Sequence, residues 1–117
     1  MEKVELLAPC GGMEQLKAAI EAGADAVYIG GRLFNARIGA GNFSDEELKE
    51  AIDYAHLRGV KVYITLNTLI FDDELEEALY YGRQMHRYSA DALIVQDLGL
   101  AKLIKENLPD MELHLST

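Results

Sequence analysis

Polar residues follow the short apolar runs of this chain, and their types suit binding and proton transfer. They are Asn67, Gln96, Asp97 and Ser116, which follow the third, fourth and fifth of five short apolar runs along the chain. Asn67 can hydrogen-bond a substrate, and Asp97 can act as a general base or orient a ligand. Each has a structural alternative, because an asparagine can fix a turn and an aspartate can cap the following helix. Ser116 offers a ligand hydroxyl, whereas no Gly-x-Ser-x-Gly elbow marks it as a nucleophile.

A long segment follows the second apolar run and carries further candidates. It covers residues 30–43, roughly fourteen positions, whereas loops between a strand and a helix usually have about 2–6 residues. Arg37 can hold a carboxylate or a phosphate through two parallel hydrogen bonds, and Asn42 can bind a substrate. The alternative for Arg37 is a solvated side chain or a salt bridge that closes the loop. The length of the segment indicates a function.

Glycine, cysteine and histidine positions give weaker signals. Gly11-Gly12 lies between a strand and a helix, where backbone N–H groups can bind an anion, but a tight turn that needs glycine is the favoured interpretation. Cys10 is the single cysteine and cannot by itself hold an iron–sulfur cluster. The histidines lack metal-ligand spacing. His56 and His86 are expected to be structural or to face solvent, whereas His114 is expected to face the interior of a barrel.

Five short strands with helical segments between them must position these residues. The strands are rich in Val, Ile, Leu and Tyr and nearly continuous in apolarity, which is typical of parallel strands buried on both faces. They are predicted at Val4–Ala8, Ala26–Ile29, Val60–Leu66, Ala92–Val95 and Leu113–Leu115. The segments between them repeat apolar residues at helical spacing. The pattern therefore predicts an α/β protein with five parallel strands and four helices.

Two architectures fit this alternation. One is a doubly wound sheet of the flavodoxin type, and the other is a partial TIM-like (β/α) barrel that contains the first five strands. The barrel is favoured because a doubly wound domain normally ends in a helix, and none follows the fifth run in this sequence. In both architectures ligands bind at the carboxyl ends of the strands, which is where the polar candidates lie.

Local signals mark the ends of the elements. Ser44 and Glu47 have the spacing of a capping box, and Gly23 and Gly59 stand where a helix needs a left-handed residue before the next strand. The same Ala-Asp-Ala triplet, at residues 24–26 and 90–92, leads into two of the predicted strands. The repetition predicts a chain built from one recurring unit.

Composition limits the class of protein. The chain has 117 residues, of which 50% are hydrophobic and 26% charged, as expected of one globular domain that spans residues 1–117. The net charge of −9 disfavours a large nucleic-acid surface on this segment. A single cysteine fits a reducing compartment, and neither a secretion signal nor a membrane span is apparent. We expect a cytoplasmic protein with no membrane partner.

Several motifs, taken together, are similar to those of one family. They are Glu5–Pro9 with Gly11-Gly12, Ala22–Gly31, Asn35–Arg37 with Asn42-Phe43, Gly59–Tyr63 with Leu66–Thr68, Asp91–Gly99 and His114–Thr117. In this order they resemble the collagenase-like peptidases of family U32, over nearly the whole chain. The resemblance implies a TIM-like barrel, of which this chain would form the first five strands.

The leading expectation is the N-terminal part of a collagenase-like peptidase, with a site completed by strands outside this chain. Its substrate would be a peptide or a small molecule. The candidates for catalysis are Asp97 and Asn67. The candidates for substrate binding are Arg37, Asn42, Asn67, Gln96 and Ser116.

Two alternatives stay open. Some members of the family take part in hydroxylating RNA or a quinone precursor, and some carry an iron–sulfur cluster. Such a cluster would belong to the full-length protein, because Cys10 does not correspond to a family ligand and no cofactor is expected in this segment. The other alternative is a structural segment without activity, which would self-associate through unpaired strand edges or an exposed barrel interior.

Overall fold

A computed structural model describes residues 5–29, 43–66 and 75–115 of the chain. Within these ranges the strands are Leu7–Pro9 (β1), Ala26–Ile29 (β2), Lys61–Leu66 (β3), Ala92–Val95 (β4) and Leu113–Leu115 (β5). The helices are Met13–Glu21 (α1), Asp45–Leu57 (α2), Leu75–Arg87 (α3) and Leu98–Asn107 (α4). None of the described helices is long and apolar enough to cross a membrane.

The strands form one parallel sheet in the order β1-β2-β3-β4-β5. Residues from every helix pack in one core with alternate strand residues, among them Leu16, Ile52, Met85 and Ile104. The four helices therefore cover the same face of the sheet. A flavodoxin-type sheet reverses its strand order and carries helices on both faces, so that alternative does not fit. The predicted five parallel strands and four helices are confirmed, and they are consistent with a partial TIM-like barrel.

Alternation along each strand gives the sheet two different faces. Val62 and Ile64 of β3 are fully buried in the core beneath the helices. Tyr63 and Thr65 lie on the opposite face, which we call the inner face. The inner face has its own small core, made of Ala26, Tyr63 and Ala92 with Tyr28 and Ile94 packed against it.

The repeated Ala-Asp-Ala triplets have a packing role on this inner face. Tyr63 is in register with Tyr28 of β2 and with Ala92 of β4. Ala26 and Ala92 are both fully buried and pack against the Tyr63 ring. The last alanine of each triplet therefore leaves room for that ring, since a larger side chain would compete for the same space.

The predicted caps are present at the helix ends. The Glu47 N–H donates to Ser44 Oγ at 3.3 Å, and the Ser44 N–H donates to Glu47 Oε1 at 3.0 Å. Gly23 and Gly59 adopt φ values of +95° and +73°, which glycine reaches without steric cost. Both signals are confirmed, and the short turns that they produce bring each helix end onto the next strand.

The bounds of β2, β4 and β5 agree with the predicted ones, and β3 begins at Lys61 instead of Val60. The first strand was predicted at Val4–Ala8, and within the described residues β1 covers Leu7–Pro9, while Val4 lies outside them. Before β1, the Leu6 N–H donates to Asp25 Oδ2 at 2.8 Å, and the Leu6 carbonyl accepts the Ala26 N–H at 3.2 Å. The pairing of β1 with β2 then begins at Leu7, which is in register with Ala26.

Candidate functional site

The carboxyl ends of the strands, where ligands bind in parallel α/β folds, are described only in part. Gln96 and Asp97 follow β4 directly, and Gln96 is exposed. Arg37, Asn42, Asn67 and Ser116 lie outside the described residues, so their convergence on one site stays a prediction.

Asp97 caps the helix that follows β4. Its Oδ1 accepts the Leu100 N–H at 2.9 Å, and its backbone is extended, as in an N-cap. A Cβ at Gly99 would lie 3.1 Å from the same oxygen, so glycine gives the carboxylate room to turn onto the helix. The structural alternative for Asp97 is therefore present, and a catalytic role would have to use a carboxylate that already holds a backbone N–H.

The turn between β1 and α1 brings backbone donors to the same end of the sheet. The Cys10 N–H donates to the Tyr28 carbonyl at 3.0 Å, which fixes the turn to β2. Gly12 is the N-cap of α1, and among the described residues no side chain caps this helix. The first N–H groups of a helix carry partial positive charge and suit an anion. The glycine pair thus serves the tight turn, and an anion site here stays a hypothesis.

Cys10 does not suit an iron–sulfur cluster. Its side chain is buried in the core beneath the helices, and its thiol lies 3.9 Å from the Ala8 carbonyl. Burial raises the pKa of this thiol, whereas cluster ligands are thiolates. With one cysteine in the chain, the residues of this segment do not fit such a cluster.

A polar contact on the inner face was missed by the sequence analysis. The Tyr63 hydroxyl donates to both carboxylate oxygens of Glu5, at 3.1 and 3.3 Å. Burial, reinforced by the hydrogen bond and negative charge of Glu5, raises the pKa of Tyr63 to about 12. The phenol is therefore a neutral hydrogen-bond donor near neutral pH. Strand alternation at Tyr63 and Thr65 was the available signal, but it cannot show that Glu5 reaches across β2.

His114 lies on the inner face, as expected of a residue that faces a barrel interior. Its ring packs edge-on against Tyr63 with 4.8 Å between the ring centroids. Its Nε2 lies 3.1 Å from Glu112 Oε1. Tyr63 of β3 is therefore held between Glu5, just before β1, on one side and His114 of β5 on the other.

The other two histidines bind carboxylates at the opposite end from the expected ligand site. His56 Nε2 lies 2.7 Å from Asp91 Oδ2, and His86 Nε2 lies 3.2 Å from Asp110 Oδ2. Both aspartates precede a strand, so these pairs lie at the amino ends. The expected structural role of the two histidines agrees with this geometry. Across the described ranges, no group of three His, Cys, Asp or Glu side chains could hold a metal ion.

The aspartates of the two repeated triplets make the same contacts. Asp25 Oδ2 accepts the Leu6 N–H at 2.8 Å while the Asp25 N–H donates to the Leu6 carbonyl at 2.8 Å. Asp91 Oδ2 accepts the Val62 N–H at 2.7 Å, and the Asp91 N–H donates to the Val62 carbonyl at 2.9 Å. Each aspartate therefore fixes its strand to the preceding one, and the shared triplet is a structural device.

Comparisons with known proteins identify relatives of two kinds. A family model described as peptidase family U32 matches residues 11–117. The 23S rRNA 5-hydroxycytidine C2501 synthase of Escherichia coli (strain K12) is 44% identical over 115 residues, covering 98% of this chain and 17% of that protein. The tRNA hydroxylation protein P of Helicobacter pylori (strain J99) is 44% identical over 121 residues, covering 100% of this chain and 28% of that protein. The collagenase of Porphyromonas gingivalis (strain W83) is 37% identical over 114 residues, covering 97% and 27%.

A solved structure supports the fold. The structure of the U32 peptidase Mk0906 superimposes with a TM-score of 0.68 at 14% sequence identity, covering 98% of this chain and 50% of that chain. At this identity the likeness concerns the fold alone. The chain spans less than a third of the length of the three curated relatives just described.

Proposed function

The chain belongs to peptidase family U32, and from this membership we propose that it is the N-terminal barrel segment of a protein that hydroxylates RNA. The observation that carries the proposal is the 44% identity to an rRNA 5-hydroxycytidine synthase over 98% of this chain. A second relative, a tRNA hydroxylation protein, matches at the same identity over all of it. The expected location of such a protein is the cytoplasm, where RNA is available.

In this proposal the carboxyl ends of the strands bind the target nucleotide. Arg37 suits a phosphate because its guanidinium offers two parallel donors. Asn67 and Asp97 are the candidates for catalysis, and the remaining candidates for substrate contacts are Asn42, Gln96 and Ser116. With a net charge of −9, this segment would supply few contacts to the RNA backbone, because phosphate binding depends on clustered Lys and Arg. An iron–sulfur cluster in the intact protein would be held by residues outside this chain.

The test is a gene deletion followed by mass spectrometry of nucleosides from digested rRNA and tRNA. We expect a hydroxylated nucleoside to disappear and to return when the intact protein is supplied. The variant Arg37→Ala should fail to restore it. The matched control is Arg83→Ala, which removes an arginine from α3 that bonds Asn107 at 3.3 Å. Unchanged nucleosides after deletion would refute the proposal.

Peptide cleavage is the second candidate, and the 37% identity to a collagenase over 97% of the chain favours it. The purified intact protein would be incubated with collagen and with unrelated peptides, and the products identified by mass spectrometry. Cleavage that persists at constant specific activity through purification, in a protein whose deletion leaves RNA nucleosides unchanged, would support this candidate over the first.

We also propose that residues 1–117, when produced alone, self-associate. The outer strands β1 and β5, with the residue before β1, expose large apolar side chains, with exposed fractions of 54% for Leu6, 42% for Leu7 and 63% for Leu115. Exposed apolar strands at a sheet edge favour pairing with another chain. Light scattering over a range of concentrations tests this, and a monomer at the highest concentration would contradict it.

A further inference from the structure

Two histidine–aspartate pairs join consecutive units of the fold at the amino ends of the strands. His56 lies in the last turn of α2 and contacts Asp91, which precedes β4. His86 lies in the last turn of α3 and contacts Asp110, which precedes β5. Helix α2 is followed by β3, but its histidine contacts the aspartate before β4. Helix α3 is followed by β4, but its histidine contacts the aspartate before β5.

The two histidines occupy equivalent positions in their helices. Each lies three residues before a residue with positive φ, Gly59 at +73° and Ser89 at +69°. The carbonyl of each histidine accepts the N–H of that residue at 3.0 Å. In α1 the equivalent position is Ile20, whose carbonyl accepts the Gly23 N–H at 3.1 Å. The first unit therefore has an apolar residue where the second and third units have a histidine.

The first of the pairs also contacts the sheet. Asp91 Oδ2 accepts the Val62 N–H at 2.7 Å and lies 2.7 Å from His56 Nε2. One carboxylate oxygen thus joins the end of α2, strand β3 and the start of β4. The side chains of His56 and Asp91 are 34% and 31% exposed, so solvent screens this contact only partly.

We propose that these two pairs form a pH-sensitive latch, which tightens the amino end of the sheet when the histidines are protonated. A neutral imidazole offers the carboxylate a hydrogen bond, whereas a protonated one offers a charge-assisted bond that is stronger. Imidazole side chains change charge between about pH 5 and pH 8. The latch is therefore tighter at about pH 5.5 than at about pH 8. It is independent of the chemistry at the carboxyl ends.

Groups near the two aspartates affect how the pairs respond as pH falls. The hydrogen bond from His86, with smaller effects that include the charge of Lys105 in α4, lowers the pKa of Asp110. A carboxyl group with a lowered pKa stabilises the fold above its usual range, and this contribution is lost as pH falls through the lowered pKa. On the other pair, Tyr63 of β3 faces the negative charge of Asp91 and stays neutral over the working range. For the His86–Asp110 pair, the lowered pKa of Asp110 extends the stabilising contribution below the usual range of a carboxyl group.

The test is hydrogen exchange of the intact protein, with the Val62 amide as the reporter because its N–H is bound by Asp91. After correction for intrinsic exchange, we expect protection of Val62 to rise roughly two- to fivefold from about pH 8 to about pH 5.5, the range of a partly exposed ion pair. His56→Gln keeps a donor at similar reach but removes the charge, so this rise should disappear. The second pair is more exposed, at 39% for His86 and 75% for Asp110, so His86→Gln should leave the pH response of Val62 unchanged.

Two references make the experiment decisive. The Leu6 amide is bound by Asp25 in the first unit, where Ile20 replaces the histidine, so its protection should not change with histidine charge. His114→Gln removes a histidine whose carboxylate partner, Glu112, lies two residues earlier in the chain, and should leave the pH response of Val62 unchanged. The proposal is overturned if Val62 keeps its pH response in His56→Gln, or if Leu6 responds as strongly as Val62.

Discussion

Removal of the Asp91 carboxylate is expected to loosen the contact between β3 and β4. Asp91 Oδ2 accepts the Val62 N–H at 2.7 Å and lies 2.7 Å from His56 Nε2. A hydrogen bond to a charged group contributes about 1.5–3 kcal/mol, and the 31% exposure of Asp91 favours the lower end of that range. The partly exposed histidine pair adds no more than about 1 kcal/mol. We therefore expect Asp91→Ala to lower the local stability by about 2 kcal/mol.

The matched control is Asp53→Ala on α2. Asp53 also pairs with a cation, Lys49, at 3.0 Å, but both side chains are more than half exposed and no strand N–H depends on it. Such a pair on a helix contributes about 0.3–0.5 kcal/mol.

Native-state hydrogen exchange of the intact protein measures both variants. A loss of about 2 kcal/mol corresponds to roughly thirtyfold faster exchange at the Val62 amide, against about twofold in the control. Equal exchange rates at Val62 in Asp91→Ala and Asp53→Ala would refute the role assigned to the repeated aspartates.

Three further predictions concern single positions. The raised pKa of Tyr63 favours the neutral phenol in the folded state, so the folded protein loses stability as pH rises from about 10 to about 12. Tyr63→Phe should remove this part of the pH dependence. Denaturation at several alkaline pH values measures it, with Tyr80→Phe, at an exposed tyrosine, as the control. Ser89→Gly should stabilise the protein by about 0.5 kcal/mol, because φ +69° has a steric cost for serine that it does not have for glycine. Gly59→Ala should destabilise the protein by about 1 kcal/mol for the same reason. The melting temperature of each variant, compared with that of the unchanged protein, measures both effects. The Cys10 thiol should react with iodoacetamide much more slowly in the native than in the denatured protein, because burial raises its pKa, and equal rates would contradict the burial.

Local signals in the sequence were sufficient for the order of elements and for several of their ends. The Ser44 capping box and the left-handed Gly23 and Gly59 depend on residues close in the chain, so spacing alone identifies them. Contacts between distant residues were not accessible in this way. Glu5 and Tyr63 are 58 residues apart and meet across β2, and His56 and Asp91 are 35 apart. Their meeting follows from strand register, which a single sequence does not specify.

The role of the Ala-Asp-Ala repeat also depends on contacts between residues that are distant in the sequence. Its recurrence predicted a repeated unit, but its physical reason appears only in three dimensions. The first alanine of each triplet, Ala24 or Ala90, packs beneath the helices, the aspartate binds the preceding strand, and the last alanine leaves room for Tyr63. The three consecutive residues of each triplet therefore contact, in order, the core beneath the helices, the backbone of the preceding strand and the inner face of the sheet.

The described residues make different polar contacts at the two ends of the sheet. At the amino ends, the aspartates and histidines bind one another or backbone N–H groups. At the carboxyl ends, Gln96 is exposed and α1 begins with Gly12. Relatives named for RNA hydroxylation and for collagen cleavage share this segment at 44% and 37% identity. A scaffold whose amino end is held by its own polar groups can keep its fold while residues at the other end change. We therefore expect the difference in chemistry to arise after the strands, where Arg37, Asn42 and Asn67 lie in the sequence, and in the parts of the relatives that this chain does not cover.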